Sequence, residues 1–120
     1  MSEQQIPDGE RLAITSRLIG GVTVLALSGE IDYDSAGRFA DALVAVQGPG
    51  PQRIVVDFAG VTFMDSTGIT ALVSAYRALQ GADGWIRIAA VSEAALRVIQ
   101  IVGVDTIIAC HPSVDGALEA

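Results

Sequence analysis

Residues 55–69 read Val55-Val56-Asp57-Phe58-Ala59-Gly60-Val61-Thr62-Phe63-Met64-Asp65-Ser66-Thr67-Gly68-Ile69. The apolar start of this stretch is typical of a buried strand, and a helical pattern of apolar residues begins after Ser66. The hydroxyl-rich turn between them carries Asp65 as a free acid. We expect the Ser66 hydroxyl to lie exposed at the positive end of the helix, where it is a natural acceptor for a phosphate group. A helix cap without further function would use the same residue types.

Strand and helix patterns alternate on both sides of this stretch. Alternating apolar residues around Gly20-Gly21 predict an opening hairpin whose second strand is Val22 to Leu27. The later strands are predicted at Arg53 to Phe58, Trp85 to Val91 and Thr106 to Cys110. Helices are predicted after the caps Asp34-Ser35, Asp65-Ser66 and Ser92, with a short terminal helix from Ser113 to Glu119.

The order of these elements predicts an α/β fold with a mixed, mostly parallel sheet, an N-terminal hairpin and flanking helices. The chain has 120 residues, of which 51% are apolar, and this predicts a single domain over residues 1–120 with a polar tail at 1–10. Gly48-Pro49-Gly50-Pro51 predicts a loop after the first helix.

Charge and residue usage exclude several classes of function. The net charge of -7 disfavours nucleic acid as a partner. All seven basic residues are arginine, so no lysine is present for Schiff-base or P-loop chemistry. Cys110 and His111 are the only residues of their kinds, and we expect neither a disulfide nor a metal site nor a cofactor. The absence of a signal peptide and of a long apolar run predicts a cytoplasmic protein that does not contact the membrane.

Two enzyme hypotheses remain weak. Ser66 resembles a hydrolase nucleophile because Gly68 matches the second glycine of G-x-S-x-G, but Met64 occupies the place of the first, and His111 is the sole candidate base. Asp57 could be a phosphate acceptor, but such sites use a second acid nearby and a lysine. Ala59 occupies the position of the second acid, and the chain has no lysine. A strand-end acid that accepts hydrogen bonds from loop amides explains Asp57 better. We therefore predict no catalytic residue.

The wider context of the turn resembles the STAS domains of bacterial anti-sigma factor antagonists over almost the whole chain. The matching segments are Gly29-Glu30-Ile31-Asp32, Val55-Val56-Asp57-Phe58, residues 61–69, and Ser92 with Ala95-Leu96. The resemblance implies that Ser66 is the phosphorylation site and that the loop at Asp32 lies close to it. The implied partner-binding residues are Asp32, Tyr33, Asp34, Ser35, Asp65, Ser66, Thr67 and Gly68. Asp32 is equally compatible with a helix cap and with a partner contact.

The resemblance also implies a partner switch. The unphosphorylated protein would bind an anti-sigma factor that has a histidine-kinase-type ATPase fold, and would thereby release the sigma factor. The same partner, acting as a serine kinase, would phosphorylate Ser66, and a PP2C-type serine phosphatase would reverse the step. The alternative within this family is a scaffold or a transporter accessory subunit without a kinase switch.

Overall fold

Strands and helices alternate along the chain after an N-terminal hairpin in the computed structural model, which describes residues 11–46 and 51–120. The strands are β1 Leu12–Ile19, β2 Val22–Ile31, β3 Arg53–Met64, β4 Trp85–Ala89 and β5 Cys110–His111. The helices are α1 Ala36–Ala45, α2 Ser66–Gln80, α3 Glu93–Ile101 and α4 Val114–Glu119, with a 3-10 turn at Val104–Thr106.

The strands form one mixed sheet in the order β1-β2-β3-β4-β5. The pair β1 and β2 is antiparallel, whereas the pairs from β2 to β5 are parallel. Gly20 and Gly21 have φ values of 55° and 82° and form the two-residue turn of the hairpin, as their sequence predicts. The α/β fold with a mostly parallel sheet is confirmed.

Both faces of the sheet are covered, which explains the continuous apolar run in β3. The larger core lies under α1, α2 and α3, where the rings of Phe39 and Phe58 meet edge to face with centroids 6.5 Å apart. The smaller core lies under α4, where Ala117 is buried with Val24 and Val55. Successive residues of β3 therefore contribute to opposite cores.

Two central strands extend farther than their apolar runs predict. β2 continues past Leu27 to Ile31, and β3 continues past Phe58 to Met64. The pairing of β3 with β4 ends at Asp57 and Ala89, so the last part of β3 pairs only with β2 within the described residues. Register shifts interrupt the β2–β3 pairing in this part, and such bulges change which face a side chain reaches. Because of these extensions, the turns at Asp32 and Ser66 lie farther along the strand direction than the end of β4.

The wrong strand predictions lie in the C-terminal third of the chain. Thr106 to Cys110 is not a strand, because Gly103 with φ 80° starts a 3-10 turn and the Thr106 hydroxyl donates to the Gly103 carbonyl at 2.6 Å. β5 comprises only Cys110–His111. β4 ends at Ala89, before the predicted Val91, since Ala90 has φ 59°. α3 ends at Ile101, and Val102 beyond it is 52% exposed.

The other predicted helices are confirmed, including the terminal one with Ser113 as its N-cap. The predicted tail at 1–10 and residues 48–50 of the predicted loop lie outside the described residues. Within residues 11–46 and 51–120, no helix has both the length and the apolar character needed to cross a bilayer.

Candidate functional site

Two acidic turns lie side by side at the carboxyl edge of the sheet. Ile31 at the end of β2 pairs with Met64 at the end of β3, and the amide of Asp65 donates to the carbonyl of Ile31 at 3.1 Å. Residues 32 and 65 are therefore the first residues beyond two paired strand ends. The long-range pairing of β2 with β3 builds the site from segments more than thirty residues apart in sequence.

The start of α2 presents Ser66 to solvent. Asp65 is the N-cap, and its Oδ1 accepts hydrogen bonds from the amide of Thr67 at 2.9 Å and from the Thr67 hydroxyl. Asp65 is therefore not the free acid that the sequence suggests. Ser66 is the first residue of the helix and is exposed, and within the described part of the chain its hydroxyl makes no hydrogen bond. An unengaged hydroxyl at a positive helix end is accessible to an enzyme that transfers phosphate.

Gly68 is buried beneath the first turn of α2 and serves close packing. A Cβ atom at this position would lie 2.8 Å from the side chains of both Ile31 and Met64. These two side chains are themselves buried at the ends of β2 and β3. The missing side chain of Gly68 thus allows the first turn of α2, which begins at Ser66, to pack closely against the ends of β2 and β3.

The Asp32–Ser35 turn is held by its own polar side chains. Asp32 Oδ1 accepts from the amides of Asp34 and Ser35 at 3.0 and 3.1 Å. The Ser35 hydroxyl is buried, donates to the carbonyl of Glu30 at 2.8 Å and accepts from the Asp32 amide at 2.9 Å. Ser35 is the N-cap residue of α1 by position, but its side chain stabilises the turn and makes no capping hydrogen bond to the helix. The Asp32 carboxylate therefore stabilises this turn by accepting hydrogen bonds from its amides.

Arg11 completes the hydrogen bonding of Asp32, and sequence reasoning missed it. Its Nη1 donates to Asp32 Oδ2 at 3.0 Å and to Glu30 Oε1 at 3.4 Å. The signal was available in the hairpin: a two-residue turn at Gly20-Gly21 places residue 11 opposite residue 30. Partial desolvation raises the pKa of Asp32, but hydrogen bonds from Ser35 and Asp34 and the charge of Arg11 outweigh it, and the pKa lies below its ordinary value.

Other side chains of the turns point outward. Tyr33 is 83% exposed, and Asp34 is also exposed. Phe63, which pairs with Glu30 in the last part of β3, is 50% exposed. Phe63 was not among the expected site residues, because an aromatic residue next to other apolar residues is usually predicted to be buried in the core.

The residues of the hydrolase hypothesis are not brought together. Ala89 pairs with both Asp57 and His111, so His111 lies level with Asp57 on the sheet. Met64 lies seven residues farther along β3, which corresponds to roughly 20 Å at about 3.3 Å per residue. The carboxylate of Asp57 accepts from the amide of Ala59 at 2.9 Å, the structural role preferred from sequence. No cluster of three or more potential metal ligands occurs in the part of the chain that the structure describes.

Comparison with known proteins gives consistent results. The family model described as the STAS domain matches residues 13–117. The chain is 31% identical over 65 residues to the anti-sigma-F factor antagonist RsfB of Mycobacterium tuberculosis, which covers 54% of this chain and 53% of that protein. It is 32% identical over 77 residues to the anti-sigma-B factor antagonist of Staphylococcus epidermidis, which covers 64% of this chain and 71% of that protein.

The fold agrees with a solved structure as well. The crystal structure of an anti-sigma factor antagonist from Mycobacterium paratuberculosis superimposes with a TM-score of 0.84 and 29% sequence identity. The match covers 95% of this chain and 97% of that one. The alignment with the Mycobacterium tuberculosis relative, by contrast, spans only about half of that protein's length.

Proposed function

The chain belongs to the STAS domain family, and from this membership we propose that it is an anti-sigma factor antagonist switched by phosphorylation of Ser66. In the unphosphorylated state it binds an anti-sigma factor and frees the sigma factor. That anti-sigma factor has a histidine-kinase-type ATPase fold and acts as a serine kinase on Ser66. A PP2C-type serine phosphatase restores the binding form. The names of the relatives support the class of function, and the geometry of the site supports the switch.

The observation that carries this proposal is the accessible Ser66 hydroxyl at the first position of α2, beside two acidic turns. In the transfer, Ser66 Oγ attacks the γ-phosphorus of ATP, the bond from that phosphorus to the bridging oxygen of the β-phosphate breaks, ADP leaves, and the hydroxyl proton passes to a general base of the kinase. The chain supplies an acceptor, and the groups that stabilise the transferred phosphoryl belong to the kinase.

Electrostatics explain how the modification ends binding. A phosphate on Ser66 adds about -1.5 to -2 charges at pH 7. It enters a surface that already carries Asp65, Asp34 and Glu30, in a chain of net charge -7. The amides at the start of α2 stabilise a phosphate, so the fold is retained while a complementary partner is repelled. A loss of about 2.7 kcal/mol in binding free energy weakens a complex ~100-fold, which is sufficient for a switch.

The test uses purified anti-sigma factors of the histidine-kinase-type ATPase fold from the source organism. Incubation of the wild-type chain with each of them and ATP, followed by mass spectrometry, is expected to find phosphate on Ser66 and none in Ser66→Ala. In binding assays, Ser66→Ala should retain the affinity of the unphosphorylated wild type and Ser66→Asp should lose it. Absence of phosphate with every candidate kinase would contradict the switch, and retained binding in that case would favour the scaffold role.

A further inference from the structure

Two exposed aromatic side chains lie at the strand ends next to Ser66: Phe63 is three residues before Ser66, and Tyr33 follows the end of β2, where Ile31 pairs with Met64. Tyr33 is 83% exposed and Phe63 is 50% exposed, whereas Phe39 and Phe58 are buried in the core. Aromatic residues dominate the binding energy of protein interfaces because they remove a large, rigid apolar area from water. Their exposure at the same edge of the sheet is therefore informative about binding.

Tyr33 stands on a turn that holds it in place. The residue before it, Asp32, and the residue two positions after it, Ser35, are engaged in the hydrogen bonds that fix the turn. The ring itself is left in solvent. Binding through a side chain on a rigid turn costs less conformational entropy than binding through a mobile loop.

Phe63 lines a cavity together with its neighbours Thr62 and Met64. The cavity has a volume of about 170 Å³ and lies between the end of β3 and the start of α3, where Ser92, Ala95 and Val98 line it. β4 ends at Ala89 and does not reach this part of β3. A space of this size admits an apolar side chain from another protein.

The charges around the two aromatic residues are acidic. Glu30 pairs with Phe63, Asp34 follows Tyr33, and Asp65 lies two residues after Phe63, while Arg11 is engaged with Glu30 and Asp32. The surface thus combines exposed aromatic rings with acidic side chains, in a chain of net charge -7. Its complement is a protein surface that combines apolar groups with basic residues.

We propose that Tyr33 and Phe63 are the two apolar anchors of the surface that binds the anti-sigma factor, at the edge of the sheet that carries Ser66. The inference rests on the proposed function for the identity of the partner. The partner receives the Tyr33 ring in an apolar pocket, places an apolar side chain in the cavity beside Phe63, and sets basic residues against the neighbouring acids. Phosphorylation of Ser66 introduces charge at the same edge, where the complex excludes water and repulsion is less screened.

The experiment measures the affinity of unphosphorylated variants for the purified anti-sigma factor in the presence of a non-hydrolysable ATP analogue. Tyr33→Ala and Phe63→Ala are each expected to weaken binding about tenfold or more, the range of interface hot spots. Tyr33→Phe keeps the ring and should bind within about threefold of the wild type. The matched control is Ile101→Ala, because Ile101 is 77% exposed and lies at the far end of α3. It should leave affinity unchanged, and the affinity of the wild type should fall as salt is raised.

The outcomes separate this inference from the proposed function. Wild-type affinity in both Tyr33→Ala and Phe63→Ala, together with loss of binding in Ser66→Asp, would overturn the anchors and leave the switch intact. Weakened binding in the aromatic variants with unchanged binding in Ser66→Asp would support the anchors and overturn the switch. An equal loss in Ile101→Ala would also overturn the anchors. Circular dichroism reports folding, and Phe63→Leu replaces Phe63→Ala if the latter does not fold.

Discussion

At the scale of single residues, the acids of the site have separate roles that their similar chemistry does not reveal. The carboxylate of Asp65 caps α2, and that of Asp32 fixes a turn and pairs with Arg11. Asp34 extends into solvent. The two engaged acids position the neighbouring Ser66 and Tyr33, whereas the exposed acid contributes charge to the surface. Hydrogen bonding thus separates the acids that hold the turns in place from the acid that remains exposed at the surface.

The low pKa of Asp32 predicts how stability depends on pH. Its folded-state pKa lies below the ordinary value of 3.8, so its ionised form stabilises the fold above about pH 5, and this stabilisation is lost as pH falls through the folded-state pKa. The difference in unfolding free energy between wild type and Asp32→Asn should be constant from pH 7 to about 5 and should shrink below pH 4. An NMR titration of the carboxyl group should give a midpoint below 3.8, and a midpoint at or above that value would contradict the assigned hydrogen bonds.

At the scale of elements, the hairpin and the strand ends carry the site. Gly29 has φ 114°, and the chain of β1 passes so close that a Cβ atom would lie 1.8 Å from the Arg11 carbonyl oxygen. That carbonyl accepts from the Glu30 amide at 2.9 Å. The approach of the two strands at Gly29 therefore brings the Arg11 side chain to Asp32.

Gly29→Ala is accordingly expected to destabilise the protein strongly. A positive φ at a residue other than glycine costs about 1–3 kcal/mol, and the contact with Arg11 adds to it, so we expect a loss above ~3 kcal/mol in unfolding free energy. Gly37→Ala is the matched control, because no atom lies within 4 Å of its added Cβ and the residue is in α1.

The control substitution should raise the unfolding free energy by about 0.5–1 kcal/mol through helix propensity. Urea denaturation followed by circular dichroism measures both variants. Equal stabilities of the two would show that the close approach of β1 to Gly29 is absent in solution.

At the scale of the whole molecule, the parallel sheet gathers the functional surface at one edge. The helices α1, α2 and α3 each follow one of the parallel strands β2, β3 and β4, so all three begin at the carboxyl edge of the sheet. The short helix α4 covers the opposite face of the sheet. Arg87 joins this helix to the sheet: its guanidinium lies 3.7 Å from the centroid of the Trp85 ring, and its Nη1 donates to the Ala117 carbonyl at 2.8 Å.

Arg87→Met should loosen α4 without disturbing the acidic edge. The methionine keeps much of the apolar stem but removes the cation–π contact and the hydrogen bond, for an expected loss of about 1–2 kcal/mol in unfolding free energy. Trp85 is the only tryptophan, so its fluorescence reports both the local change and the urea transition. The control is Arg97→Met, an exposed position on α3, which should change stability by less than about 0.5 kcal/mol. Under the proposed function, affinity for the anti-sigma factor should be unchanged in both variants.

Local patterns were sufficient for the types and order of most elements. The glycine pair of the hairpin, the apolar stripe of α2 and the caps Asp65, Ser92 and Ser113 act through neighbouring residues, so their signals lie within a few positions of sequence. The wrong strand predictions also have local causes. The 3-10 turn after Gly103 replaces most of the strand that the apolar content of residues 106–110 predicts, and the positive φ of Ala90 ends β4 early. The exposed position of Ser66 at the start of α2 was predictable because the strand end, the turn and the helix start follow one another within residues 55–69.

The sequence by itself therefore determined the alternation of strands and helices, the core-facing stripes and the serine at the start of α2, since each depends on residues close along the chain. Only the tertiary structure decided which residues surround that serine. The pairing of Ile31 with Met64 joined the two acidic turns, and the early end of β4 left Phe63 exposed. These relations arise between distant segments, and the chain satisfies their backbone hydrogen bonds only when the whole sheet is assembled.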